Sequence, residues 1–235
     1  MEENTIFNIM KHHFKSAKTS EPQTDREDNS PPDLSCFDID LNSRMETLRC
    51  GPNMLSTYIG LEGPPLLGER KILDINLSIF INFYLAERLQ FRPWNLLYSV
   101  LRDGSHFTSF YSKVRGYKHS VLIVETESGE KFGGFASCEW RSLNAFFGCG
   151  ECFIFKFNDE KQFQHFGWSG SNNFYMFSSA TQIAMGGGGA GFGFVLDENF
   201  ERGGSSHCET FNNEPLASTD MFRVVNVECW GLMKP

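Results

Sequence analysis

Ser120-Val121-Leu122-Ile123-Val124-Glu125-Thr126 is followed by Glu127-Ser128-Gly129-Glu130 and then by Lys131-Phe132-Gly133-Gly134-Phe135-Ala136-Ser137. Two runs rich in β-branched and aromatic residues flank four turn-forming residues, the pattern of two antiparallel strands joined by a hairpin turn. The period of two persists downstream. Phe153, Phe155 and Phe157 alternate with Cys152, Ile154 and Lys156; Phe192, Phe194 and Leu196 with Gly191, Gly193 and Val195; Val225, Val227 and Cys229 with Val224, Asn226, Glu228 and Trp230. Turn residues separate these runs.

Upstream there are two helical patterns. Ile72 to Leu89 carries a stripe at Ile72, Ile75, Ile79, Phe83 and Ala86. Its length favours helix over strand, with Pro93 barring continuation. Trp94 to Val100 then reads as a strand. Phe107, Phe110, Tyr111 and Val114 mark a second, shorter helix with Ser105 as N-cap and Gly116 at C′. Many short strands behind two early helices predict a β-rich α+β fold, an antiparallel β-sandwich with short flanking helices. The 21 Phe beyond residue 53 supply its filling.

Residues 1–65 read differently. The first 53 hold ten acidic and six basic side chains but only three Phe, and Thr19 to Pro32 has the composition of a disordered segment. Ile6 to Met10 is an apolar island within it. The division expected is a disordered acidic tail and linker over 1–65 and a folded domain over 66–235. The whole chain of 235 residues has a net charge of −8, which argues against nucleic-acid backbone binding and against acidic membranes. It shows neither a signal-peptide pattern nor an apolar run of about 18 residues. Seven cysteines, an odd number, fit a reducing compartment, so a cytoplasmic location is expected.

Several groups of residues bear chemistry by type. Cys149 and Cys152 form a CxxC without a second ligand pair, so no metal and no cofactor is expected. Cys152, Cys208, His165, His207 and Glu151 have the functional groups of nucleophilic catalysis, but nothing in their spacing makes them meet. Glu151 would raise the pKa of Cys152, whereas protonated His207 would lower that of Cys208. A hydrolase built on Glu151 would need a His or Cys beside it in one cleft, which a filled sandwich does not offer. Gly186 to Gly193 contains a formal GxGxxG but precedes a strand, which removes the helix terminus that cradles a phosphate. Bare backbone there lets another segment approach closely. His207 to Pro215 is polar and turn-rich, and Asn212 and Asn213 are able to fix it through their own backbone.

Taken in order, Pro93 to Ser99, Lys131 to Ser137, Gly150 to Phe153, Trp168 to Phe174, the glycine run 186–193, Thr210 to Leu216 and Glu228 to Gly231 resemble the TLDc domain of the oxidation-resistance protein family. The resemblance spans about Leu66 to Leu232 and is to the short, stand-alone members. It implies a central antiparallel sandwich and no agreed enzymatic reaction. It further implies protection against oxidative damage and binding to the cytosolic sector of the vacuolar proton-pumping ATPase, with recruitment to endolysosomal or vacuolar membranes through that partner. Cys149 departs from the family pattern, where a hydroxylated residue is usual, and Cys229 stands where Val is common. On this reading Glu151, Trp168, Asn172, Phe211, Asn212, Asn213 and Glu214 are candidate interaction residues. Cys152 and Cys208 are candidates for an alternative, direct reaction with peroxide.

Overall fold

In the computed structural model the described residues are 63–69, 71–157, 162–189 and 191–234. The expected disordered tail lies outside them as far as residue 62, its apolar island included. Chain order is β1 (Leu66–Leu67), helix α1 (Ile75–Tyr84), a 3₁₀ turn (Glu87–Leu89), β2 (Trp94–Ser99), α2 (Val100–Asp103), α3 (Phe107–Val114), β3 (Ser120–Thr126) and β4 (Lys131–Ala136). There follow β5 (Ala145–Phe147), β6 (Phe153–Phe157), β7 (Phe163–Phe166), β8 (Met176–Ser178), β9 (Gln182–Met185), β10 (Phe194–Asp197), β11 (Arg202–Gly204) and β12 (Met221–Leu232). None of the helices described is long and apolar enough to cross a membrane.

Two sheets share β12. Its first residues pair with β11, which continues through β10, β9 and β8 to β5. Its later residues lie between β2 and β3, and the sheet continues through β4 and β6 to β7. All pairs are antiparallel except β1 with β2. The β3–β4 hairpin forms in full register, Ser120 opposite Ala136 and Glu125 opposite Lys131. Gly129 turns it at φ +83.

The period of two has a definite destination. In β3, Leu122 and Val124 enter the core between the sheets, while Val121 and Ile123 enter a second core beneath α1. The same division holds in β6, where Ile154 faces the other sheet and Phe153 and Phe155 face the helix. In β12, Val227 and Cys229 point one way and Trp230 and Leu232 the other. A sheet covered on both faces carries apolar residues at odd and even positions alike. The described residues thus form a sandwich with a helical layer over one sheet. Two glycines let the layers close: a Cβ on Gly134 would lie 2.5 Å from Met185 Sδ, and one on Gly193 would lie 2.6 Å from Ile154 Cδ1.

The helices differ in extent from the sequence reading. α1 covers ten residues, with Asp74 as N-cap accepting from the Leu77 N–H at 2.8 Å. It ends at Leu85, which is extended, well before Pro93. Ile72, Leu73, Leu85 and Leu89 are buried without belonging to α1, because the segments that flank the helix, the 3₁₀ turn among them, bring them to the same core. What holds Ile72 and Leu73 out of the helix is distant in sequence. The fully buried Glu228 carboxylate accepts the N–H groups of Lys71 (2.6 Å), Ile72 (3.0 Å) and Leu73 (3.2 Å), together with Trp230 Nε1–H (3.0 Å).

Strand β2 stops one residue short of Val100, where α2 begins. Asn226 Oδ1 accepts from the Leu101 N–H, and Asp103 Oδ2 from the Ser99 N–H. Helix α3 buries Phe107, Phe110 and Val114 as its spacing predicts, and Gly116 follows its cap at φ +84. Its N-cap is His106 rather than Ser105.

Candidate functional site

Three connecting loops meet at one corner of the sandwich. The loop from β7 to β8 carries Trp168 and Asn172, the glycine turn joins β9 to β10, and the long connection from β11 to β12 carries His207 to Glu214. Their junction is polar and local. Asn172 Oδ1 accepts from its own loop at the Phe174 N–H (3.0 Å) and from Thr210 Oγ1–H (2.7 Å). Thr210 Oγ1 accepts the Gly187 N–H (2.9 Å), and the Thr210 N–H returns to Gly187 O (3.1 Å). Ser169 adds an N–H to Thr210 O (2.8 Å) and a hydroxyl to Glu209 O (2.6 Å). Few of these buried backbone groups have strand partners, so the loops satisfy one another.

The glycine turn is what allows the approach. Gly186 has φ +77, and a Cβ there would stand 2.5 Å from Cys208 Sγ and 2.9 Å from the Phe211 ring. The run serves a close contact between backbone segments.

A fourth loop joins the corner from β5. Its residues Cys149 to Cys152 form a turn closed by the Cys152 N–H on Cys149 O at 3.0 Å. Trp168 covers it: a Cβ on Gly150 would lie 2.7 Å from the indole. The indole N–H donates to Asn172 O at 2.8 Å, and the ring meets Tyr175 edge-on at 5.6 Å. With 44% of its surface exposed, Trp168 is the large apolar side chain this corner offers to solvent.

The candidate residues therefore divide by what they touch. Trp168, Asn212 and Glu214 are exposed, and Asn172 and Glu151 are half-buried. Phe211 and Asn213 are buried, so they shape the surface from beneath. Asn213 donates to Ser206 O (2.9 Å) and Glu214 O (2.8 Å) and accepts from the Cys208 N–H (3.2 Å). Asn212 sits at φ +46, a conformation that Asn tolerates, with His207 Nε2 3.2 Å from its Oδ1. Glu214 pairs with Lys156 at 3.0 Å.

Glu151 meets Arg88 at 2.6 Å, and that hydrogen bond holds its carboxyl below the ordinary carboxylate range. It is an ion-paired base, unsuited to acting as an acid. His165 stacks on Tyr84 with ring centres 4.0 Å apart, and burial lowers its pKa to about 4.

Both redox candidates lie inside. Burial pushes the Cys152 thiol up to about 11, and its hydrogen bonds run to Ser137. Burial likewise raises Cys208 to about 11, with its thiol donating to Asn213 Oδ1 at 3.0 Å. Cys152, Cys208, His165, His207 and Glu151 thus each engage a different neighbour. Among the described residues no group of three His, Cys, Asp or Glu is arranged to hold a metal ion. Thr210 and Arg88, which tie the corner together, were not among the candidate residues, Thr210 entering only as part of the block Thr210 to Leu216. Their partners lie 23 and 63 residues away, and no periodicity reports such pairs.

Comparison with known proteins agrees with this architecture. A sequence model of the TLDc domain matches residues 66–233. The chain is 33% identical over 171 residues to Nuclear receptor coactivator 7 of Mus musculus, covering 72% of this chain and 18% of that protein. It is 34% identical over 169 residues to Oxidation resistance protein 1 of Bos taurus, covering 72% and 19%. Against Oxidation resistance protein 1 of Yarrowia lipolytica it is 32% identical over 168 residues, covering 68% and 73%. The chain thus spans less than a fifth of the two mammalian proteins.

Proposed function

The chain belongs to the TLDc domain family, and from that premise we propose that it is a non-enzymatic interaction module which supports resistance to oxidative stress. Its partner on this reading is the cytosolic sector of the vacuolar proton-pumping ATPase, as the family resemblance implies. The observation that carries the proposal is the corner itself. Loops that hydrogen-bond one another around Thr210 fix one another's shape, and they present Trp168 beside half-buried Asn172, with Asn212 exposed on the Thr210 loop. An exposed aromatic amid fixed polar groups is the composition of an interaction hot spot.

The test is co-sedimentation of the full chain with the soluble sector of the pump, with and without nucleotide. Trp168→Ala is expected to weaken association strongly. Leu101→Asp, at an exposed apolar residue of α2 outside the four loops, is expected to leave it unchanged. Equal binding by the Trp168 variant would remove the corner from the reading, and absence of binding by the wild-type chain would remove the partner.

A further inference from the structure

The Cys149–Cys152 turn has features that neither the docking reading nor the burial of Cys152 and Cys208 explains. Cys149 is exposed and Cys152 is buried, and both are free thiols. The hydrogen bond from the Cys152 N–H to Cys149 O closes a four-residue turn, which holds the two Cα atoms within about 7 Å. Disulfides form across Cα separations of about 4.4–6.8 Å. One hydroxyl reads both residues. Ser137 Oγ accepts the Cys149 N–H at 3.0 Å and the Cys152 Sγ–H at 3.2 Å, so the buried sulfur faces back toward the start of the turn. In the same direction, a Cβ on Gly148 would lie 3.3 Å from Cys152 Sγ.

Arg88, anchored to Glu151 within the turn, lies within electrostatic reach of Cys149. A solvent-facing thiol with a protected thiol three residues on in the same turn is the arrangement of a redox pair with an attacking and a resolving cysteine.

We infer that Cys149 and Cys152 form a thiol–disulfide pair oxidised by hydroperoxides, with Cys149 attacking and Cys152 resolving. The Cys149 thiolate forms an S–O bond to the peroxide as the O–O bond breaks, and the other oxygen leaves as water or alcohol after taking up a proton. Cys149 is then a sulfenic acid. Cys152 attacks that sulfur; the S–S bond forms, the S–O bond breaks, and the departing hydroxide takes up the Cys152 proton and leaves as water. Two electrons pass from the pair to one peroxide. Cys208, held by Asn213 beneath the glycine turn, takes no part.

Both cysteines fall in one tryptic peptide, residues 142–156, which contains no other cysteine. The full chain, treated with stoichiometric hydrogen peroxide, unfolded, alkylated and digested, is expected to show that peptide lighter by two hydrogens and unalkylated. Dithiothreitol should restore alkylation. Cys152→Ser should abolish the disulfide and leave a Cys149 sulfenic acid that dimedone captures; Cys149→Ser should abolish it and leave Cys152 reduced. Cys208→Ser should change neither result. Should Cys152→Ser fail to fold, Cys149→Ser at its exposed position still decides the matter. The inference is overturned if the wild-type peptide never loses two hydrogens, or if Cys152 oxidises equally in the Cys149 variant.

Discussion

Two regions of this molecule solve the same problem with different chemistry. On the α1 side, backbone N–H groups that belong to no strand or helix converge on the two carboxyl oxygens of one side chain, Glu228, at zero exposure. At the loop corner, backbone groups in the same predicament are met by neutral ones, the Thr210 hydroxyl and the Asn172 amide. A buried carboxylate accepts strong charge-assisted bonds but is ruinous to leave half-paired. A hydroxyl is weaker and exchangeable. The first device fixes the fold, and the second fixes the shape of a surface. Substitutions should therefore separate stability from recognition along this line.

Glu228→Ala should have the largest effect. It strands three backbone N–H groups and the Trp230 indole in the core under α1, an expected loss of about 3–5 kcal/mol of unfolding free energy. Glu228→Gln keeps the shape but turns an amide NH₂ toward donors, so about 2–4 kcal/mol is expected despite the isostery. Urea melts of both variants check this. If the Gln variant is as stable as wild type, the carboxylate charge is not what holds residues 71–73.

Next comes acid sensitivity, which belongs to the same region. His165 is stacked on Tyr84 and packed near Phe153, and its pKa falls from an ordinary 6.5 to about 4. Below pH 6.5 the unfolded chain takes up a proton that the folded chain refuses, so stability declines as pH falls toward 4 and levels off beneath it. Allowing for partial exposure, the expected decline is about 2 kcal/mol between neutral pH and pH 4. His165→Phe keeps an aromatic ring and should flatten that part of the profile relative to wild type.

At the corner the balance reverses. Thr210→Val removes the acceptor for the Gly187 N–H and a donor to Asn172 at a fully buried position, for an expected loss of about 1–2 kcal/mol. Melting should therefore change less than for Glu228→Ala. Association with the pump sector should nonetheless fall as far as for Trp168→Ala, because Asn172, whose carbonyl holds the indole N–H, loses its tie. A variant that melts early yet binds fully would break the comparison.

The same contrast explains what could be read in advance. Strand periodicity and helix spacing are local, so the hairpin at Gly129 and the buried face of α3 were legible from residues 107–137. The helical layer was visible, but its limits were not. Ile72 and Leu73 look helical by pattern, and only Glu228, more than 150 residues later, shows why they stay outside the helix. At the corner, the residue types able to make loop bonds were recognisable in Asn172, Asn212 and Asn213. That Phe211 and Asn213 sit beneath the surface was not, since loops carry no period from which to infer a face.

The smallest effect is expected where the two regions touch through solvent. Glu151, in the turn under Trp168, pairs with Arg88 in the 3₁₀ turn that follows α1, and both side chains are substantially exposed. Exposed pairs contribute little, because water and salt already screen them. The Arg88 hydrogen bond lowers the Glu151 pKa from its ordinary 4.5, so the pair's contribution is present above that pH and disappears as pH falls through the folded value. Glu151→Gln should leave the melting temperature nearly unchanged at high salt and shift it slightly at low salt. What it should change is the electrostatics of the turn. With Arg88 released from its carboxylate, the cation is free to complement a Cys149 thiolate, and peroxide should oxidise the 142–156 peptide faster than in wild type. A slower rate would mean that Glu151 holds Arg88 in its working position, and would make that ion pair part of the redox turn.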